Sequence, residues 1–138
     1  MIAVDTGVVV AGLSPWHEHH ESCREVLDGR PRIVGHVLLE TFSVLTRLPV
    51  PFRMPAAIVS ELLMADFAEP PLTMSVDQLR RFVAGLGRWN VRGGATYDAL
   101  IGATAEATGA TLLTLDARAL RTYAVVGADA RVVARKSS

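Results

Sequence analysis

Residues 111–120 read TLLTLDARAL, a short run of leucine and β-branched residues that delivers a single acid, Asp116, before Ala-Arg-Ala-Leu resumes with helix-forming residues. The run from Thr111 to Leu115 is the clearest strand in the chain. The amino terminus repeats the pattern. Residues 2–7 are IAVDTG, in which an apolar run ends on Asp5 and leads through Gly7 into a second element, Val8 to Leu13. Two strands that each end on a carboxylate and feed a helix point to an α/β protein, because parallel strands need helical crossovers between them.

The segments in between fit that scheme. Ser14-Pro15 breaks the chain, and residues 16–28 resume at near-helical spacing with Trp16, His20, Cys23, Val26 and Leu27, closing at Asp28-Gly29. Residues 32–34 predict a brief strand and His36 to Leu48 a helix. Pro49, Pro51 and Pro55 punctuate the next stretch, and Ala56 to Phe67 predicts another helix. After Pro70-Pro71, Leu72-Thr73-Met74 reads as a short strand, and Ser75 caps a helix running to about Leu86. Gly85, Gly87, Gly93 and Gly94 mark a loop before a helix from Thr96 to Thr108. A helix from Ala117 to Thr122 and a strand from Arg131 to Ala134 complete the chain. The expectation is one domain over residues 1–138, with a parallel sheet of about four to five strands flanked by helices. No internal repeat or linker interrupts it.

Half of the 138 residues are hydrophobic and a fifth are charged, which suits a folded domain with one substantial core. The 14 basic and 14 acidic residues balance, so no overall field steers a polyanion and nucleic-acid contacts must come from local patches. Cys23 is the lone cysteine, so no intramolecular disulfide forms, and a cytoplasmic location is expected. No apolar run reaches the length of a membrane span.

Four acids fall in the most apolar windows: Asp5 in IAVD, Glu40 in VLLETFSVL, Asp98 in YDALIGATA and Asp116 in LLTLDARAL. Moving an unpaired ion out of water costs several kcal/mol, against a total domain stability of roughly 5–15 kcal/mol. Of the thirteen arginines and one lysine, only Arg118 lies in these windows. Two carboxylates about 4 Å apart repel by roughly 4 kcal/mol at an effective dielectric of 20, so a cluster needs cations. Oxygen donors without a Cys or His set favour Mg²⁺ or Mn²⁺ over zinc. Such a site activates water and steadies charge on a phosphate, which points to phosphodiester hydrolysis.

Each acid also has a plainer reading. Asp5 and Asp116 can cap the helices that follow their strands, Asp98 can serve its own helix as a first-turn acid, and Glu40 can belong to a polar stripe with His36, Ser43 and Arg47. Gly102, one turn after Asp98, leaves room for a cluster.

The order Asp5-Thr6 after the first strand, Glu40 in the third helix, Tyr97-Asp98-Ala99-Leu100-Ile101 approached through Gly93-Gly94, and Thr114-Leu115-Asp116 after a strand resembles the PIN-domain ribonucleases over nearly the whole chain. The compact length is most similar to their VapC toxin branch. The resemblance implies that Asp5, Glu40, Asp98 and Asp116 gather one or two Mg²⁺ ions, with Mn²⁺ as an alternative, to hydrolyse RNA. It implies that Thr6, and Thr114 from the last strand before Asp116, orient the metal shell. It also implies a cognate antitoxin, covering part of the apolar surface around Leu62, Leu63, Met64 and Phe67, and a homodimer. Gly7 departs from the small polar residue usual in the family, which affects hydrogen bonding around the acids rather than the acids themselves.

Two further clusters stand out. Trp16-His17-Glu18-His19-His20-Glu21 places three histidines in four positions, with His17, His20 and Glu21 able to share a helical face; a transition-metal site, surface imidazoles and a phosphate contact are the competing readings. Arg80, Arg81, Arg88 and Arg92 with Trp89 offer either a basic track with a stacking platform or solvated helix faces and a packed ring. Among alternative functions, a phosphatase wants a second Asp at position 7, where this chain has Gly. A phosphoacceptor receiver wants a lysine at the site, and the single lysine is Lys136. A non-catalytic binding module has no need of four such carboxylates.

Overall fold

The computed structural model describes residues 1–135, so Lys136 and the last residues of the expected domain lie outside the described residues. The chain runs β1 (Ile2–Val4), α1 (Thr6–Leu13), α2 (His20–Asp28), β2 (Arg32–Ile33), α3 (Gly35–Thr46), α4 (Ala56–Asp66), α5 (Val76–Leu86), α6 (Ala95–Ala107), β3 (Thr111–Thr114), α7 (Ala119–Val125) and β4 (Ala130–Val132). The four strands form one sheet in the order β2-β1-β3-β4, every pairing parallel. Val4 and Leu112, at the sheet centre, are fully buried, as near-continuous apolar runs in parallel strands should be. Each such side chain contributes about 1.5–3 kcal/mol.

Several boundaries differ from those predicted. The α2 helix begins at His20 rather than Trp16, because residues 14–20 close as successive turns, His17 N–H donating to Ser14 O at 2.9 Å and His20 N–H to His17 O at 3.0 Å. His17 therefore does not share a helical face with His20 and Glu21. The expected Leu72–Met74 strand reduces to one parallel bridge, Val34 with Leu72. Pro70-Pro71 supplies no amide donors ahead of it, and the Ser75–Gln78 capping box starts α5 immediately after. Gly85 lies inside α5, not in the loop, and α7 and β4 sit slightly displaced from their predicted ranges.

Two glycines set helix spacing. A Cβ on Gly12 would lie 2.4 Å from Leu27 Cδ1, so α1 and α2 touch nearly backbone to backbone. A Cβ on Gly102 would lie 2.9 Å from both Tyr123 Cδ1 and Val126 Cγ2, and 3.4 Å from Tyr123 Cα. The room left by Gly102 is thus filled by α7, whose Tyr123 is 1% exposed and reaches back to Asp5.

Gly102→Ala should force α7 off α6 and destabilise the fold by about 1–3 kcal/mol, measured by urea denaturation. An unchanged midpoint would contradict this packing.

Candidate active site

In β1 and β3, Val4 is registered with Leu113, and the ladder continues one step as Asp5 N–H donates to Leu113 O at 3.1 Å. The next residue on each side is then Asp5 opposite Thr114, and Asp116 follows two residues on. The two strand-end acids emerge at one edge of neighbouring strands, the place where open parallel sheets form ligand crevices. Glu40 arrives from the middle of α3 and Asp98 from the first turn of α6. All four line a single cavity of about 510 Å³, together with Thr6 and Thr114.

Their surroundings are unequal, which revises the expectation that all four sit where water is scarce. Asp5 alone is buried, at 6% exposure. Glu40 and Asp98 are half-buried and Asp116 is exposed. The cap reading holds for Asp5, the N-cap of α1 through Val8 N–H at 3.3 Å, and fails for Asp116: the N-cap of α7 is Arg118, without a side-chain cap, and Asp116 accepts from Arg118 N–H at 2.9 Å in the turn that precedes the helix. Asp5 nevertheless lines the cavity, so capping and membership of the site coexist there.

Burial pushes the Asp5 carboxyl above the ordinary aspartate value, opposed by hydrogen bonds with Thr114, Tyr123 and Val8, and raised again by Asp98. Asp98 is likewise raised, first by burial and then by the charges of Glu40 and Asp116. Among the described residues no group donates a hydrogen bond to Asp98. Glu40 accepts from Thr6 Oγ1 at Oε1, 2.5 Å away, while His36 Nε2 lies 3.3 Å from Oε2 without making a hydrogen bond. His36 in turn stacks on Tyr97, centroids 5.2 Å apart and planes 6° from parallel. Of the polar stripe expected around Glu40, His36 is the member found beside the acid.

Tyr123 was not legible as a site residue. Its hydroxyl donates to Asp5 Oδ2 at 3.0 Å across 118 positions of sequence, and burial beside Asp5 keeps the phenol protonated. The two threonines act on the acids: Thr6 fixes Glu40, while Thr114 accepts from Asp116 N–H at 3.0 Å and also supports Asp5. Carboxylates and hydroxyls together form an all-oxygen donor set, which suits a hard divalent cation. Among the described residues no three acidic, histidine or cysteine side chains form a ready-made metal cage. What the four acids share is one cavity and each other's charge.

His17 and His19 also line this cavity, on the turn before α2, whereas His20 turns away and donates from Nδ1 to Ala11 O at 2.8 Å. The expected basic track is elsewhere. Trp89 packs on Gly85, whose Cβ would lie 2.8 Å from the indole, and on Phe82, while Arg80, Arg81, Arg88 and Arg92 are exposed and do not line the acid cavity. Leu63 and Phe67 belong to the core, Leu62 packs partly against it, and Met64 is exposed. No helix among the described residues is long and apolar enough to cross a membrane.

The PIN-domain family model matches residues 2–125. The chain is 45% identical over 123 residues to Ribonuclease VapC40 of Mycobacterium tuberculosis, covering 89% of this chain and 92% of that protein. It is 36% identical over 145 aligned positions to Ribonuclease VapC27 of the same organism, covering 96% and 97%. Among solved structures, FitAcB from Neisseria gonorrhoeae superposes with a TM-score of 0.63 at 20% identity over 97% of both chains, a likeness of fold. From the match over most of its length and from these relatives, the chain belongs to the PIN-domain family, in its VapC branch.

Proposed function

We propose that the protein is a metal-dependent endoribonuclease acting as the toxin of a toxin–antitoxin pair. The observation that carries this reading is the convergence of Asp5, Glu40, Asp98 and Asp116, from four separate segments, on one cavity. The ribonuclease names of its relatives support the same chemistry. The four acids would hold Mg²⁺ or Mn²⁺, and such an ion, when bound, supplies a water of lowered pKa and offsets charge developing on the phosphate. Asp98, with no competing donor, keeps its lone pairs for the ion or the attacking water. Asp5 is fixed by Tyr123 and the Val8 amide, and Glu40 by Thr6, so both present set orientations. Thr114 ties the two strand-end acids together. The partners in this reading are RNA, a second copy of the chain, and an antitoxin that covers exposed apolar side chains such as Ile58 and Met64 of α4.

With Mg²⁺ or Mn²⁺ the purified protein should cleave RNA, and EDTA should stop it. Asp98→Asn should lower the rate by at least about 100-fold, read from end-labelled fragments. Full activity in that variant would rule out this site.

Tyr123→Phe removes a donor from a buried carboxylate. It should cost about 1–3 kcal/mol of stability and, by letting the Asp5 pKa rise further, shift the acid limb of the pH–rate profile upward. A profile unmoved at its acid limb would show that Tyr123 does not tune the site.

A carboxyl whose folded pKa lies above its unfolded value stabilises the fold while protonated, and that contribution is lost as pH rises through the folded pKa. For Asp98 this means that, in EDTA, Asp98→Asn should melt above wild type at pH 7, with the gap closing toward pH 4. A lower melting temperature at pH 7 would instead assign Asp98 a structural role in α6.

A further inference from the structure

The acid cavity poses a problem for any RNA substrate, because four carboxylates repel the phosphate they are meant to act on. The lining residues that can donate to a phosphate from a side chain other than a hydroxyl are His17, His19 and Arg118, and the one phenol, Tyr123, is already committed to Asp5. His17 is prepared for the task. Its Nδ1 accepts the backbone N–H of His19 at 3.0 Å, which places the ring proton of the neutral imidazole on Nε2. Burial, then the neighbouring His19, depress its pKa, so the neutral form with that Nε2–H donor prevails at pH 7.

His17 is also one link in a series of rings. Phe52 and Trp16 lie 4.7 Å apart between centroids, Trp16 and His17 5.6 Å, and His17 and His19 5.7 Å, each pair tilted by 42–43°. The series begins on the surface, with Trp16 47% and Phe52 42% exposed, and ends in the wall of the acid cavity. Because residues 14–19 turn rather than join α2, the rings of Trp16, His17 and His19 project from a loop and not from a packed helix face. We propose that Phe52, Trp16, His17 and His19 form the entry track for single-stranded RNA, unpaired bases stacking on Trp16 and Phe52 while His17 Nε2–H donates to a backbone phosphate at the cavity rim. This rests on the nuclease reading above. Aromatic rings suit unpaired bases because every base has a π-face, and a hydrogen-bond donor beside them suits the backbone. Continuity with the acid cavity favours RNA over a protein occupant for this surface. The other tryptophan, Trp89, is packed on Gly85 and lies away from the acids.

The test uses the Asp98→Asn protein, photo-crosslinked to total bacterial RNA labelled with 4-thiouridine, with adducts mapped by mass spectrometry. Adducts are expected within residues 16–19 or at Phe52; adducts confined to other segments overturn the track. In the otherwise wild-type protein, Trp16→Leu with Phe52→Leu should lower kcat/KM for RNA cleavage on the order of ten-fold at an unchanged melting temperature. His17→Ala should act mainly through KM. Unchanged cleavage in all three substitutions overturns the proposal, as does loss of a bound protein partner with cleavage and crosslinks intact. Failure of the nuclease reading looks different: adducts form on the track, yet wild-type protein with Mg²⁺ or Mn²⁺ leaves RNA uncut.

Discussion

Because β1 and β3 run parallel and pair Val4 with Leu113, the chain leaving each strand emerges at the same edge of the sheet. That pairing brings residues more than a hundred positions apart into contact, and it carries the closure entropy of the intervening chain. The burial of Val4, Leu112 and the helices packed over them compensates. Once the register is set, Asp5 stands beside Thr114, Asp116 follows, and α1 and α7 begin close by. A slip of one residue would turn Asp5 to the opposite side of the strand and leave no site.

Holding Asp5 at this edge carries an energetic cost that the surrounding structure offsets locally. A carboxylate at 6% exposure keeps only those lone pairs that find donors, and here they come from Tyr123, the Val8 amide and Thr114. The Tyr123 contact depends on α7 lying close to α6, which in turn depends on Gly102 having no side chain. A helix–helix distance thereby sets the environment of an acid on a different element. The favourable hydrogen bonds do not outweigh burial, since the Asp5 carboxyl remains raised.

The architecture was legible because it rests on local signals: the Thr111–Thr114 run, the Ser75–Gln78 box, and strand after strand followed by a helix. The acids were legible for a related reason, since each interrupts an apolar window. Burial was not, and the premise that all four lie away from water holds fully only for Asp5. Windows of apolar sequence report the neighbours in the chain, whereas exposure depends on what packs from elsewhere; Asp116 sits past the end of β3, where nothing covers it. Tyr123 was hidden because its partner is 118 residues away, and a lone tyrosine in a short helix carries no sign of which carboxylate it meets. The same limit explains Leu72–Met74, whose composition suits a strand but whose flanking prolines and helix cap leave room for one bridge.

The graded exposure of the acids gives the cavity a direction. Asp5 and Tyr123 form a closed floor, Glu40 and Asp98 the walls, and Asp116 with the fully solvated Arg118 an open mouth. A balanced overall charge provides no long-range pull on a polyanion, and the cavity itself repels one, so approach has to be guided at short range by groups on the rim. The rim has those groups where the loop before α2 brings the imidazoles of His17 and His19 against the cavity. On the proposed track, an acidic cavity reached past imidazole donors and exposed rings favours a substrate whose bases and phosphates are both accessible. That is the chemistry of unpaired RNA rather than of a duplex, in which the bases are already stacked on one another.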